Sequence, residues 1–330
     1  MKVGILGAAK IAPAAIIEPA RKTPGLEAFG VAARDPGRAR AFAAEHGVAR
    51  VFESYEELCT APEVDVVYNA LPISHHCAWT LRALEAGKPV LCEKAFAANA
   101  DEARRMAAAA QKAGLLLAEA FHWRFHPLAD RMVTTVREGH LGRIHSLNSH
   151  FDVPLGDWND IRFDYATGGG ATMDLGCYPI HMMRHLMGEE PTVVSARAEV
   201  GPPEVDIAMT AELLFPSGAR GAFSCRMQPE AKFRMDLVAQ GERGTMEVTN
   251  PLVPHFGHLL RIEADGKTET ISVDGETTYT HQLRAFAQAW KGGTKVHTHP
   301  GDAIANMVVL DSVYQSAGLR RRGESPTNEL

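Results

Sequence analysis

Gly87-Lys88-Pro89-Val90-Leu91-Cys92-Glu93-Lys94 is the stretch on which the reading of this chain turns. A glycine-proline turn enters a short apolar run, and the run ends by delivering an acid and a base side by side. Such a run reads as a buried strand of a parallel sheet, and open α/β sheets place their ligands at the carboxyl ends of their strands. Lys94 is therefore the expected catalytic centre.

Working upstream, the same alternation of apolar run and helical segment repeats. Val3 to Leu6 is a strand followed by Gly7-Ala8-Ala9-Lys10-Ile11-Ala12 and then by the alanine-rich segment from Pro13 to Lys22. A strand, a tight turn and a helix aim backbone N–H groups at a pyrophosphate, although Ala9 and Ala12 replace the second and third glycines of the dinucleotide fingerprint. Ala28 to Ala33 is a second strand, ending at Arg34, and Asp35-Pro36 opens a helix that stops at Gly47. At that strand end a carboxylate reads the ribose 2′-OH of NAD, whereas Arg34, with Arg38 a turn later, suits the 2′-phosphate of NADP. Val64 to Pro72 is a further strand and exit loop, with Ser74 as the expected N-cap of the next helix. Downstream of Lys94, Asn99 and Glu102 have capping-box spacing, and Leu115 to Ala120 is another strand. Repeated β-α units predict an N-terminal doubly wound parallel sheet over residues 1–121.

From Ile144 the period changes. Short, partly alternating runs between turn signals such as Pro216-Ser217-Gly218 predict a C-terminal α+β domain, residues 122–330, built on one large open, mainly antiparallel sheet. Two helices close the chain, Tyr279 to Trp290 and Gly301 to Gly318, and a C-terminal helix is expected to pack back on the first domain. The tail from Arg320 reads as a frayed terminus. Between the strands lies Gly168-Gly169-Gly170-Ala171-Thr172-Met173-Asp174-Leu175-Gly176-Cys177-Tyr178-Pro179. A helix there puts Asp174 and Tyr178 at i, i+4, while Pro179 predicts a kink or two helical pieces.

A formal charge of −6, from 34 basic and 40 acidic side chains, argues against general nucleic-acid or membrane-surface binding and for a small-molecule ligand. Five scattered cysteines give neither a disulfide framework nor a thiolate metal site. An amino terminus that runs straight into a strand predicts a cytoplasmic protein. His181 and His185 stand at i, i+4, but without a third ligand at recognisable spacing no metal is expected.

With these motifs assembled, the whole chain resembles the nicotinamide oxidoreductases that include glucose-fructose oxidoreductase and inositol dehydrogenase. The resemblance rests on Gly7 to Ala12, on Leu71-Pro72 with His76, on Ala86 to Lys94, on Glu119 to Pro127 and on Gly168 to Tyr178. Arg34 and Gly176 to His181 look most like the dihydrodiol and D-xylose dehydrogenase branch, which generally uses NADP. The resemblance implies a cofactor site of Gly7, Ala8, Ala9, Lys10, Ile11, Arg34, Arg38, Leu71, Pro72, His76, Glu93, Lys94, Trp123 and Arg124. NADP is the expected cofactor, with NAD as the other choice. Lys94, Tyr178 and Asp174 form the expected catalytic group, and Trp123, Phe151, Trp158, Tyr178 and His181 the substrate side. Hydride transfer at a carbinol carbon needs a group to exchange the hydroxyl proton, either Tyr178 assisted by the Lys94 charge or Lys94 itself. The family's usual proline after the Glu-Lys pair, often in a cis peptide, is replaced by Ala95, for which a cis bond is costly. The family also forms oligomers, which implies a homodimer or tetramer. A non-catalytic nucleotide-sensing regulator of the same fold is the rival reading, and a zinc hydrolase a distant third.

Overall fold

The computed structural model describes residues 1–201, 204–292 and 295–324. The chain divides into two compact units. The first comprises Met1–Ala97, Asp101–His126 and Glu276–Ile304; the second comprises Ala98–Ala100, Pro127–Gly275 and Ala305–Leu330.

In the first unit six short strands form one parallel sheet: β1 (Lys2–Leu6), β2 (Glu27–Ala32), β3 (Arg50–Val51), β4 (Val66–Asn69), β5 (Val90–Cys92) and β6 (Leu117–Glu119). Their spatial order is β3-β2-β1-β4-β5-β6. The order reverses direction between β1 and β4, which opens a crevice at their carboxyl ends. Strands covered on both faces need apolar residues at successive positions, and Ile5, Val31, Tyr68 and Leu91 pack there with Ile16, Phe42, Leu283 and Phe286 from the surrounding helices. The helix Pro36–His46 begins where the Asp35 carboxylate accepts the Gly37 N–H at 2.7 Å, and it ends at Gly47, at φ +66°.

Ser74 is not the cap of the following helix. That helix runs Ile73–Glu85 with Pro72 as its N-cap, and the Ser74 hydroxyl pairs instead with the His75 ring at 3.0 Å. A proline just before the first turn supplies the fixed φ that an N-cap side chain otherwise helps to select.

The second unit carries an eight-stranded sheet of β7 (Ile144–Asp152), β8 (Thr192–Gly201), β9 (Val205–Leu214), β10 (Arg220–Arg226), β11 (Arg234–Gly241), β12 (Gly244–Thr249), β13 (Leu259–Ala264) and β14 (Lys267–Ile271). The order is β14-β13-β12-β11-β7-β10-β9-β8, antiparallel except for the central β7–β10 pair. Along β10, Gly221, Phe223 and Cys225 are buried while Ala222 and Ser224 are not, the period-two signature of a sheet covered on one face. The helix Cys177–Met187 packs against β7 and β10 on the covered side. The tail is not frayed through Arg322, which is 1% exposed and belongs to the core of this unit. Its carbonyl accepts the Asn99 side-chain amide at 2.9 Å, and the Ala100 N–H at the start of the helix Ala100–Ala113 donates to the Asp311 carboxylate at 3.0 Å. Among the described residues no helix is long and apolar enough to cross a membrane.

Candidate active site

The first unit builds a crevice from strand ends. Gly7, just past β1, takes φ +96° and donates its N–H to the Ala32 carbonyl at 2.8 Å; a Cβ there would stand 3.3 Å from the Ala70 carbonyl oxygen. Ala70 in turn donates to Leu6 at 3.1 Å, so the exits of β1, β2 and β4 are stitched together. Only glycine adopts this turn without strain, and the small Ala8 and Ala9 after it leave backbone approachable. Ala12 is fully buried and serves the packing that a third glycine provides elsewhere. Arg34 and Arg38 are exposed just beyond β2. These residues fit a phosphorylated dinucleotide: a glycine turn at the switch point, small side chains beside it, and two guanidinium groups at the end of β2.

An aromatic pair that the sequence reading passed over stands close by. Tyr55 and Trp79 meet edge to face at 4.9 Å. Burial raises the Tyr55 phenol above its usual range, against the opposing pull of a hydrogen bond to the Arg34 main chain and the charges of Arg34 and Arg38. Its signal was an aromatic residue opening a helix just after β3.

At the end of β5, Glu93 is buried and accepts the Tyr68 hydroxyl at 2.6 Å. Burial pushes the Tyr68 and Tyr279 phenols up, and the Glu93 charge adds to both shifts. The Lys94 N–H donates to the Glu93 carboxylate at 3.3 Å, and the Lys94 side chain is half-buried. The Lys94–Ala95 peptide is cis, contrary to the expectation drawn from alanine at this position. The Ala95 carbonyl is bonded to Nδ1 of His76 at 2.9 Å, and Nε2 of the same ring reaches the Leu71 carbonyl at 2.8 Å. Burial lowers the His76 pKa to about 4, outweighing the carbonyls that favour its charged form. At neutral pH the ring is uncharged, with one N–H to donate. His76 thus stands between the loop after β4 and the segment carrying Lys94, and its single N–H is donated to one of the two carbonyls while the other nitrogen only lies against the second. Trp123 is fully buried in the single turn His122–Phe125, and Arg124 is nearly so.

In the second unit, the glycine-rich stretch leads into a wide-turn helical segment, Thr172–Gly176, that continues as the helix Cys177–Met187. Pro179 explains the change of pitch: it lacks the N–H that a regular helix would direct at the preceding turn, and a π-type turn absorbs the deficit. The Asp174 carbonyl accepts the Cys177 thiol at 3.7 Å. Tyr178 is 5% exposed and meets Phe151 edge to face at 5.5 Å. Asp174 pairs with Arg162 at 3.2 Å, a partner that sequence spacing did not indicate. Trp158 meets Phe163 at a tilt, with ring centroids 4.6 Å apart, while His181 is fully buried and lies over His185 at 4.2 Å. Asp174, Tyr178 and Phe151 are thus gathered within this unit, and Trp158 sits on its exposed surface.

Comparison with known proteins matches residues 1–121 to the oxidoreductase family with an NAD-binding Rossmann fold, and residues 130–247 to the GFO/IDH/MocA C-terminal domain. The D-xylose 1-dehydrogenase (NADP(+)) 2 of Haloferax volcanii is 33% identical over 319 residues, covering 96% of this chain and 97% of that protein. The chain belongs to the GFO/IDH/MocA oxidoreductases. Another GFO/IDH/MocA relative, the trans-1,2-dihydrobenzene-1,2-diol dehydrogenase of Oryctolagus cuniculus, is 35% identical over 230 residues, 68% of each chain. Among solved structures, a 3-ketoreductase from Actinomadura kijaniata in complex with NADP and TDP-benzene superposes with a TM-score of 0.89 at 28% identity, covering 97% of this chain and 98% of that one. That enzyme has also been solved with one tyrosine replaced by phenylalanine and with one lysine replaced by alanine.

Proposed function

We propose that this GFO/IDH/MocA oxidoreductase is an NADP-dependent dehydrogenase or reductase acting on a secondary hydroxyl or carbonyl of a sugar, polyol or vicinal diol. The observation that carries the reading lies within the first unit: the switch-point crevice with Gly7 and Arg34 opens at the same edge of the sheet that ends in Lys94. The named activities of the relatives, on D-xylose and on a dihydrodiol, support the substrate class.

The nicotinamide, when bound, supplies or accepts the hydride. Gly7, Ala8 and Ala9 with Lys10 and Ile11 receive the pyrophosphate; Arg34 and Arg38 pair with the 2′-phosphate; Leu71 and Pro72 border the nicotinamide side, with His76 fixing their loop. Glu93, Trp123 and Arg124 complete the cofactor side. Tyr178 exchanges the proton of the substrate hydroxyl, and the Lys94 ammonium orients the substrate oxygen. Asp174 binds a further hydroxyl, and Phe151, Trp158 and His181 shape the substrate side. Five free, buried thiols support a reducing, cytoplasmic setting. The open face of the second sheet is read as a surface for self-association.

Fluorescence titration with NADPH and NADH tests the cofactor. Arg34→Ala is expected to weaken NADPH about 10- to 150-fold and leave NADH unchanged, since it removes one charge-assisted contact worth roughly 1.5–3 kcal/mol. Equal effects on both nucleotides would remove the 2′-phosphate assignment. Lys94→Ala is expected to lower NADP⁺ reduction by about 10²–10⁴-fold with NADPH affinity retained, and near-normal turnover would sink its role.

A further inference from the structure

We infer that Arg322 is a positioning residue for the Asp174–Tyr178 segment, a role that rests on the functional reading of those two side chains. Its guanidinium donates from Nε to the Gly169 carbonyl at 2.6 Å and from Nη2 to Oδ1 of Asp206 at 2.5 Å. The other oxygen of Asp206 accepts the N–H and the hydroxyl of Thr172, at 2.7 and 2.6 Å. Thr172 is the first residue of the wide-turn segment, and the Asp174 N–H reaches back to the Gly170 carbonyl at 2.9 Å. One side chain near the carboxyl end therefore grips both the turn that enters the catalytic segment and the carboxylate that pins its first residue.

The grip is itself fixed from several directions. Tyr314 donates to Oδ1 of Asp206 at 3.0 Å, and the Arg322 guanidinium lies over the rings of Tyr314 and Tyr165 at 4.5 and 4.7 Å. Asn99 holds the Arg322 carbonyl at 2.9 Å, and the Tyr165 hydroxyl holds that of Arg321 at 2.9 Å. Both side chains of the ion pair are at most 1% exposed. Gly170 permits the approach: it sits at φ +138°, and a Cβ there would meet Oδ1 of Asp206 at 2.3 Å and Nη2 of Arg322 at 2.7 Å. Lysine cannot reproduce the arrangement, because one ammonium does not present a planar fork to a carbonyl and a carboxylate at once. A displacement of about 1 Å in a reacting group lowers turnover by roughly 10²-fold, so a small relaxation of this turn is enough to be read in kcat.

The test compares Arg322→Ala and Arg322→Lys with the intact chain by amide hydrogen exchange and by NADP⁺ reduction with D-xylose. Arg322→Ala is expected to speed exchange about tenfold or more across residues 168–178 while β11 to β13 stay protected. It is also expected to lower kcat at least tenfold with NADPH affinity little changed. Arg322→Lys is expected to recover both in part. Unchanged exchange across 168–178 overturns the inference, whether or not D-xylose is turned over, and so does faster exchange with unchanged kcat. If Arg322→Ala fails to fold, judged by circular dichroism and NADPH binding, Arg322→Lys is read alone, and wild-type exchange in that variant overturns the inference. Tyr178→Phe measured in parallel separates the two claims. Full activity there removes the functional reading of Tyr178, whereas its loss beside an unaffected Arg322→Ala removes only the positioning role.

Discussion

The two segments that carry the candidate catalytic groups are secured by opposite means. The Lys94 segment packs on a neutral imidazole: His76 lies between the carbonyls of Leu71 and Ala95, five and nineteen residues away in the chain, and donates its one N–H to one of them. The Tyr178 segment is fastened by a buried charge pair, in which Asp206 meets an arginine 116 residues further on. A neutral ring bonded to main chain costs little desolvation, whereas two buried charges are tolerable only while each has the other. The first arrangement is sensitive to protonation and the second to deletion of either partner.

The sharpest break in that comparison is Asp206→Ala. It leaves a guanidinium buried without its carboxylate and strips Thr172 of its acceptor, so a loss of about 3–5 kcal/mol is expected in urea unfolding. Removing both partners, as Asp206→Ala with Arg322→Met, is expected to cost less than the sum of the single changes. Simple additivity in that cycle would show that the two side chains act independently, and the contrast with His76 would then lose its basis.

The same contrast explains what was legible in the sequence. Gly7, Asp35, Gly47 and the strand ending at Lys94 announce themselves through local chemistry: a turn that needs positive φ, a cap, an apolar run. Pro179 likewise foretold a break of pitch near Tyr178, and the structure has one. Ser74 had the right residue type for a cap, yet it yields to Pro72, and Asn99, directly before the helix Ala100–Ala113, has a further task that spacing does not announce, since its side-chain amide donates to the Arg322 carbonyl. Arg322 itself was invisible, because three successive arginines near a terminus read as solvated charge, and only a carboxylate on β9 makes one of them a core residue. Arg162 beside Asp174 was missed for the same reason: its partner is brought by the fold and by no fixed spacing.

His76 supplies the intermediate effect, and its sign follows from linkage. Its folded pKa of about 4 lies below the ordinary 6.5, so the unfolded chain takes up the proton first as pH falls. The contribution is intact above pH 6.5, declines between 6.5 and about 4, and is level below that; the gap corresponds to roughly 3 kcal/mol. Urea midpoints measured across that window should fall for the intact chain, and the fall should be smaller in His76→Gln. Parallel pH profiles for the two proteins would mean that folding does not lower the His76 pKa.

The smallest effect refines the comparison within the second unit alone. Asp174 is held by Arg162 in a pair whose side chains are 20% and 41% exposed, against at most 1% for Asp206 and Arg322. Partly solvated pairs gain little net energy because water already screens and solvates both charges, so Arg162→Ala is expected to change stability by less than about 1 kcal/mol. If Asp174 binds a substrate hydroxyl, losing the charge that orients it should instead raise KM several-fold with NADPH affinity unchanged. A stability loss as large as that of Asp206→Ala would place Arg162 in the same buried network and erase the distinction between a pair that builds the segment and a pair that aims it.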